Sequence, residues 1–276
     1  MSLHYFKGHG TENDFVLLPD PDGWLRLDAA TVVALCDRRA GIGADGVIRL
    51  VRTTAYDDPA SVAARDEADW FMDYYNADGS PSEMCGNGIR VMARVLAEGE
   101  GIDVTQPLPI ATRAGVRTLT FETDGQITVD LGRPVIHDET KVGVPGHTWR
   151  ALQVSMGNPH AVAFVDSLDD AGELREPPRH DSAEFPDGVN VEFVERRGDH
   201  RVAMRVFERG SGETRSCGTG AGAVAVATAV ADGDPRGTTY QVEVAGGRLL
   251  VTWTEDDTVL LTGPAVLVAE GRWLDR

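Results

Sequence analysis

Residues 71–99, FMDYYNADGSPSEMCGNGIRVMARVLAEG, run from a strand-like apolar segment through a Gly/Ser/Asp loop to Cys85 and then into an apolar-periodic helix. Residues 204–233, MRVFERGSGETRSCGTGAGAVAVATAVADG, repeat that order of signals around Cys217. The two cysteines stand 132 positions apart, and Asn76 and Glu208, each nine residues before its cysteine, keep that offset. Working outward, AGVR at 114–117 matches AGGR at 245–248 and Gly132 matches Gly263, both at an offset of 131. Upstream, DGVIRLV from Asp45 matches DGVNVEFV from Asp187, and NDFVLL from Asn13 matches NPHAVAFV from Asn158. Offsets there drift to 142 and 145, as loop insertions produce. Similarity of a chain to itself in a fixed order is the mark of an internal duplication.

Between these points lie short runs of alternating or continuous apolar residues: DFVLL, QITVDL, ALQVSM, RVAMRVF, YQVEV, RLLVTW and TVLLT. Bounded by Gly, Asp and Pro, they read as strands. Helices are expected over Ala29–Cys36, Gly88–Ala97 and Gly220–Ala231, the last so rich in Ala and Val that it should be buried on all sides. Polar stretches 55–69 and 169–187 read as solvent-exposed loops. The fold class implied is α+β, two pseudo-symmetric domains from the duplication, each a mainly antiparallel sheet around a central helix. The expected N-terminal domain, 1–132, carries Cys85, with a C-terminal strand over 265–276 as a candidate to complete it. The C-terminal domain, 133–264, carries Cys217. A pseudo-twofold arrangement would bring both helix starts to one interdomain cleft.

A chain of 276 residues suits two cores. With 26 basic against 44 acidic residues its net charge is -18, which argues against nucleic acid or an anionic membrane as partner. The N-terminus MSLHYFKGHG lacks a basic region followed by an apolar stretch, and no eighteen apolar residues run uninterrupted, so a cytoplasmic protein is expected. Three cysteines do not make a disulfide framework and read as thiols.

Cys85 and Cys217 each sit where a loop becomes a helix, followed by Gly-Asn-Gly and Gly-Thr-Gly. Helix-start amides and the positive end of the helix dipole favour a thiolate. Glycines let backbone N–H groups approach a carboxylate. Cys36, within the apolar pattern TVVALC, reads instead as a small buried hydrophobe. Two equivalent acid/base groups suit inversion at a carbon, one removing a proton while the other delivers one to the opposite face. Such a pair needs one thiolate and one thiol, whose titrations are coupled.

Other chemistries fit less well. GIGADG at 41–46 satisfies GxGxxG but follows a helix pattern and precedes a strand, the reverse of the dinucleotide-binding order. The loop GSGETRSCGTG could hold an anion but lacks a GKS or GKT ending. The two lysines, Lys7 and Lys141, have no Gly-rich context for a Schiff base, and no CxxC or HxxxH spacing points to a metal. No cofactor and no metal are therefore expected.

KGHGTENDF, NADGSPSEMCGNG, GNPHAV, DGVNVEF and ERGSGETRSCGTGAGA resemble, in order and over nearly the whole chain, the signature blocks of diaminopimelate epimerases. The resemblance implies cofactor-independent interconversion of LL- and meso-2,6-diaminopimelate, in lysine and peptidoglycan precursor synthesis, by a homodimer. Carried over by motif, Cys85 and Cys217 resemble the family's catalytic bases, with His160 and Glu208 similar to the pair that supports their ionisation. Gly86, Asn87, Gly218 and Thr219 resemble the cradle of the reacting carboxylate. Asn13, Asn76, Asn158, Asn190, Glu208 and Arg209 resemble the groups that hold the substrate's polar ends. Asn amides both donate and accept, and a guanidinium fork fits a distal carboxylate. Two departures stand out: Gly46 occupies a place where Gln is frequent, and Thr219 one where Ser is frequent. Proline and hydroxyproline racemases share the paired cysteines, and a thiol switch or anion-binding module would also use Gly-rich helix starts. Both stay open as alternatives.

Overall fold

Apolar runs bounded by turn residues become strands, and their pairing builds one sheet pattern twice. The structure is a computed structural model and describes residues 2–274. It divides into two units, the second spanning Asp130–Gly263 and the first made of the chain up to Val129 with the segment from Pro264 onward.

The first unit contains β1 (Ser2–Gly10), β2 (Asn13–Pro19), α1 (Ala29–Cys36), β3 (Gly46–Arg52), α2 (Pro59–Ala63), β4 (Trp70–Asn76), α3 (Gly86–Gly99), β5 (Leu108–Thr112), β6 (Gly115–Phe121) and β7 (Ile127–Asp130). The second contains β8 (Val135–Val144), β9 (His147–Ser155), β10 (Pro159–Phe164), β11 (Asn190–Gly198), β12 (Arg201–Glu208), β13 (Gly212–Thr214), α4 (Gly218–Asp232), β14 (Thr239–Val244), β15 (Gly247–Trp253) and β16 (Val259–Gly263). A closing strand, β17 (Val266–Leu274), pairs antiparallel with β1. The last two residues of the expected strand 265–276 lie outside the described residues.

Hydrogen bonding orders the first sheet β17-β1-β2-β3-β4-β5-β6-β7 and the second β8-β9-β10-β11-β12-β14-β15-β16. The sense agrees at every step. β2–β3 and β4–β5 are parallel, as are β10–β11 and β12–β14, and the other pairs are antiparallel. Each sheet is thus α+β and mainly antiparallel, with two parallel pairs.

Register fixes the equivalent residues. Phe15 pairs with Gly46 and Leu17 with Ile48, as His160 pairs with Asn190 and Val162 with Glu192. Val47 pairs with Tyr75 as Val191 pairs with Phe207. The offset from β3 to β11 is therefore 144, so the DGV match between Asp45 and Asp187 is two residues out of register. A strand shifted by two keeps its faces, which is why the false match looks plausible.

One long helix packs on each sheet. α3 packs on β1, β2, β3 and β17, and α4 on β9, β10, β11, β12, β14, β15 and β16. α4 is buried from Gly218 to Ala229, as its composition predicts, because strands approach from all sides, whereas Val230 and Ala231 at the end of the expected stretch are exposed. Small residues permit that approach: a Cβ on Gly222 would lie 3.1 Å from Leu131 Cδ1. The helix stops at Gly233, in the left-handed region at φ 69°, which glycine adopts without a Cβ penalty.

Both stretches expected as exposed loops carry buried apolar anchors instead. Residues 55–69 hold α2, and Ala64 and Ala68 pack with Val51, Phe71 and Ala111. In 169–187, Ala171, Leu174 and Phe185 enter a core with Phe193 and Phe207. Sparse apolar residues in a polar stretch give no periodicity, yet a few suffice to pin it. Among the described residues no helix is long and apolar enough to cross a membrane.

Candidate active site

Cys85 and Cys217 are both N-caps, in extended conformation at the starts of α3 and α4. The Cys85 Sγ accepts the Gly88 N–H at 3.4 Å, and the Cys217 Sγ accepts the Gly220 N–H at 3.3 Å. A helix has no carbonyl of its own for its first amides, so sulfur stands where a Ser or Asp oxygen usually caps. Behind each cysteine come the amides named by the sequence, Gly86 and Asn87 in the first unit and Gly218 and Thr219 in the second.

Around Cys85 the polar groups form a chain. Arg38 bridges Asp14 and Asp45, and Asp45 accepts from Asn13 Nδ2 at 2.8 Å. Asn13 Oδ1 then faces the Cys85 sulfur at 3.6 Å and accepts from Asn87 Nδ2 at 3.3 Å. Asn87 Oδ1 accepts from Arg90 Nη2 at 2.7 Å, while Arg90 Nη1 donates to Gly86 O at 2.9 Å. Arg90 is wholly buried, and that burial brings its guanidinium down to about 10, opposed by Cys85. Asn76 ends β4 with its amide turned to Ser80 Oγ at 3.1 Å. Gly46 has no room for any side chain: a Cβ there would lie 2.5 Å from Tyr75 O and 2.6 Å from Tyr74 Cε2.

The surroundings of Cys217 are different in kind. Thr219 Oγ1 lies 3.5 Å from the sulfur and receives Asn158 Nδ2 at 3.3 Å. Asn158 Oδ1 faces His160 Nε2 at 3.0 Å, and His160 Nδ1 faces Glu192 Oε1 at 2.7 Å. His160 and Glu192 are completely buried. Glu208 accepts from Thr214 and also reaches the Cys217 thiol. Burial raises the Glu208 carboxyl above its ordinary range. Burial first, then the charges of Glu208 and Glu192, push the Cys217 thiol well above the ordinary thiol range, so this sulfur holds its proton. Asn190 donates to Pro159 O and accepts the Arg209 N–H, both at 2.9 Å, which fixes the exposed Arg209 at the strand end.

The structure thus groups Asn13, Cys85, Gly86 and Asn87 in one unit. In the other it groups Asn158, His160, Glu208, Cys217 and Thr219, with Asn190 and Arg209 at the adjoining strand ends. Sequence reasoning missed Arg90 and Glu192. Their signal was a charge inside an apolar run, IRVMARVL for the one and NVEFV for the other. Cys36 is buried, as its apolar setting predicts, and burial pushes its thiol up to about 11. Among the described residues no group of His, Cys, Asp or Glu is placed to hold a metal ion.

Residues 5–137 and 152–268 match the diaminopimelate epimerase family. The diaminopimelate epimerase of Streptomyces coelicolor is 55% identical, covering 99% of this chain and 97% of that protein. That of Thermobifida fusca is 49% identical, covering 98% and 97%. Among solved structures, a phenazine biosynthesis protein of the PhzF family from Bacillus anthracis superposes with a TM-score of 0.74 and 18% identity over 100% of both chains. At that identity the likeness is one of fold.

Proposed function

Because the chain belongs to the diaminopimelate epimerase family, we propose that Cys85 and Cys217 are its two acid/base groups, acting on opposite faces of one α-carbon of 2,6-diaminopimelate. The enzyme is an isomerase that converts the LL to the meso form, a step toward lysine and peptidoglycan precursors. The observation that carries the two-base reading is the repeated cysteine cap: both repeats place a thiol sulfur on the third amide of a buried helix, at 3.4 and 3.3 Å.

In this reading the substrate carboxylate lies in the amides of Gly86, Asn87, Gly218 and Thr219, where preorganised donors stabilise the carbanion's spreading charge. The Cys85 thiolate takes the α-proton and the Cys217 thiol returns another to the opposite face, so the protein's proton count is unchanged and its charge has moved from one sulfur to the other. The raised Cys217 thiol supports this assignment of donor. Asn13, Asn76, Asn158, Asn190 and Arg209 hold the remaining polar ends, while Glu208 and His160 stabilise the Cys217 side and the ammonium. No cofactor or metal is needed.

The reading includes a cytoplasmic homodimer. Val266, Val268 and Leu274 of β17 are all exposed, and a protein partner over that strand would cover them. Light scattering on the purified protein tests the dimer.

The functional test is α-proton exchange in deuterated solvent with LL- and meso-diaminopimelate and with proline, for the wild-type protein, Cys85→Ser and Cys217→Ser. Exchange with diaminopimelate alone, lost in both variants, is expected, since a serine hydroxyl is far too weak an acid to replace a tuned thiol. Full turnover by either variant would sink the two-base mechanism, and exchange with proline alone would replace the substrate.

A further inference from the structure

The two repeats are alike in backbone and opposite in buried polarity. Where the second unit has His160 and Glu192, strand register puts Phe15 and Ile48 in the first. All four side chains are completely buried. Where the second has Glu208, the first has Asn76. The Cβ positions of the matching glycines agree: on Gly88 it would meet Ile48 Cδ1 at 2.8 Å, and on Gly220 it would meet Glu192 Oε1 at 2.8 Å.

Burying an ion pair costs desolvation that its mutual attraction repays only in part, and apolar residues of similar size often serve a fold equally well. Here the fold itself supplies that comparison, because the same strand positions beneath the same cysteine-capped helix are filled by Phe and Ile in the other repeat. The pair is also incompletely satisfied, since Glu192 Oε2 is buried without a hydrogen-bond partner. A costly arrangement that the fold does without in one repeat is retained beside Cys217 alone.

We propose that Glu192 is a positioning residue for proton transfer at Cys217: its carboxylate holds His160, which through Asn158 sets the Thr219 hydroxyl against the sulfur. The proposal rests on the reading of Cys217 as one of the two bases. The links run from Glu192 to His160 at 2.7 Å, His160 to Asn158 at 3.0 Å, Asn158 to Thr219 at 3.3 Å and Thr219 to Cys217 at 3.5 Å. Without Glu192 the ring loses the acceptor that fixes its Nδ1, Asn158 loses its fixed donor, and its amide is free to turn over. Glu192 acts a second way. Its Oε1 lies against Gly220, whose amide donates to the Cys217 sulfur, and its charge helps hold the proton on that sulfur. The other titratable groups there are Glu208 from β12 and His160 from β10. No charged residue of β9, β14, β15 or β16, also packed on α4, is buried.

The test uses the full-length enzyme with Glu192→Gln, which keeps shape and removes charge, and the double variant His160→Phe/Glu192→Ile, which installs the first repeat's apolar pair. Three quantities are read: kcat and KM for LL-diaminopimelate, the thermal midpoint, and the pH midpoint of iodoacetamide alkylation at each cysteine by peptide mass spectrometry. The pH midpoint is the useful quantity because accessibility scales a rate at every pH without moving its midpoint.

Expected for Glu192→Gln are a fall of at least tenfold in kcat and a lower alkylation midpoint at Cys217 with Cys85 unmoved. The double variant is expected to fold with at least wild-type thermal stability and to turn over still more slowly. A Glu192→Gln enzyme with kcat within twofold of wild type, or with an unmoved Cys217 midpoint, overturns the proposal. So does failure of both variants to fold, which would make the pair a structural requirement. If Cys217→Ser is inactive while Glu192→Gln is fully active, only this inference falls. An active Cys217→Ser would instead remove the reading on which it rests.

Discussion

A methyl group added at Gly220 should cost far more than the same group added at Gly88, although the two glycines occupy equivalent places, three residues after each cysteine. At Gly88 the new Cβ would meet Ile48 Cδ1 at 2.8 Å, Met72 Cε at 2.9 Å and Phe15 Cζ at 3.3 Å, all ends of apolar side chains. Overpacking of this kind costs about 1–3 kcal/mol, Met adapts readily, and Ala in place of Gly returns up to about 1 kcal/mol of helix propensity. The net loss is about 0–2 kcal/mol. At Gly220 the contact is Glu192 Oε1 at 2.8 Å, with Cys217 Cβ at 3.2 Å and Sγ at 3.3 Å behind it. The carboxylate cannot retreat without loosening its bond to His160. Breaking a buried pair outright costs about 3–5 kcal/mol; a partial displacement added to the overpacking gives a net loss of about 2–4 kcal/mol. Gly220→Ala should therefore be about 2 kcal/mol less stable than Gly88→Ala, a thermal midpoint about 4–8 °C lower for a unit of this size. Scanning calorimetry at neutral pH on both variants makes the comparison, and repeating it in a Glu192→Ala background should shrink the difference. Equal midpoints, or a Gly88→Ala protein that melts first, would refute the reasoning.

Three further outcomes are expected. Asp14 stands at about 2: burial raises it, but hydrogen bonds from Arg38 and Lys7 bring it below its ordinary 3.8. Its folded value is thus depressed, so its contribution is present above about pH 4 and is lost as pH falls toward 2. After solvent screening this amounts to about 1–2 kcal/mol, and acid titration of stability should show the loss for wild type and not for Asp14→Asn. Asp73 is fully buried between Arg49 and Arg113, so Asp73→Ala should destabilise by about 3–5 kcal/mol, measured by urea denaturation; a loss under 1 kcal/mol would contradict it. Cys36, pushed up to about 11 by burial, should resist iodoacetamide at pH 8 in the native protein and react once unfolded, as peptide mapping would reveal.

Much of the fold was legible along the chain. The runs DFVLL, QITVDL, ALQVSM, RVAMRVF, YQVEV, RLLVTW and TVLLT fall in β2, β7, β9, β12, β14, β15 and β16. α1 has the bounds its pattern predicts, while α3 and α4 each begin two residues earlier than expected, because Gly86 and Gly218 already take helical geometry behind the cysteine cap. Less legible were 55–69 and 169–187, where isolated Ala64, Ala68, Leu174 and Phe185 anchor the backbone through distant partners.

By itself the sequence determined the duplication, the two Gly-flanked cysteines and their place at helix starts, since these depend on neighbours within a few positions of the chain. Only the tertiary structure decided what surrounds each sulfur. Matching DGVIRLV to DGVNVEFV by letters sets Leu50 against Glu192, whereas strand pairing sets Ile48 there. Register belongs to hydrogen bonds between strands far apart in sequence, and no local pattern encodes it. For the same reason Arg90 and Glu192, two charges inside apolar runs, could be identified as buried partners of the active groups only once the helices and sheets were packed. The cysteines are equivalent by descent of sequence and made unequal by the side chains that folding brings against them.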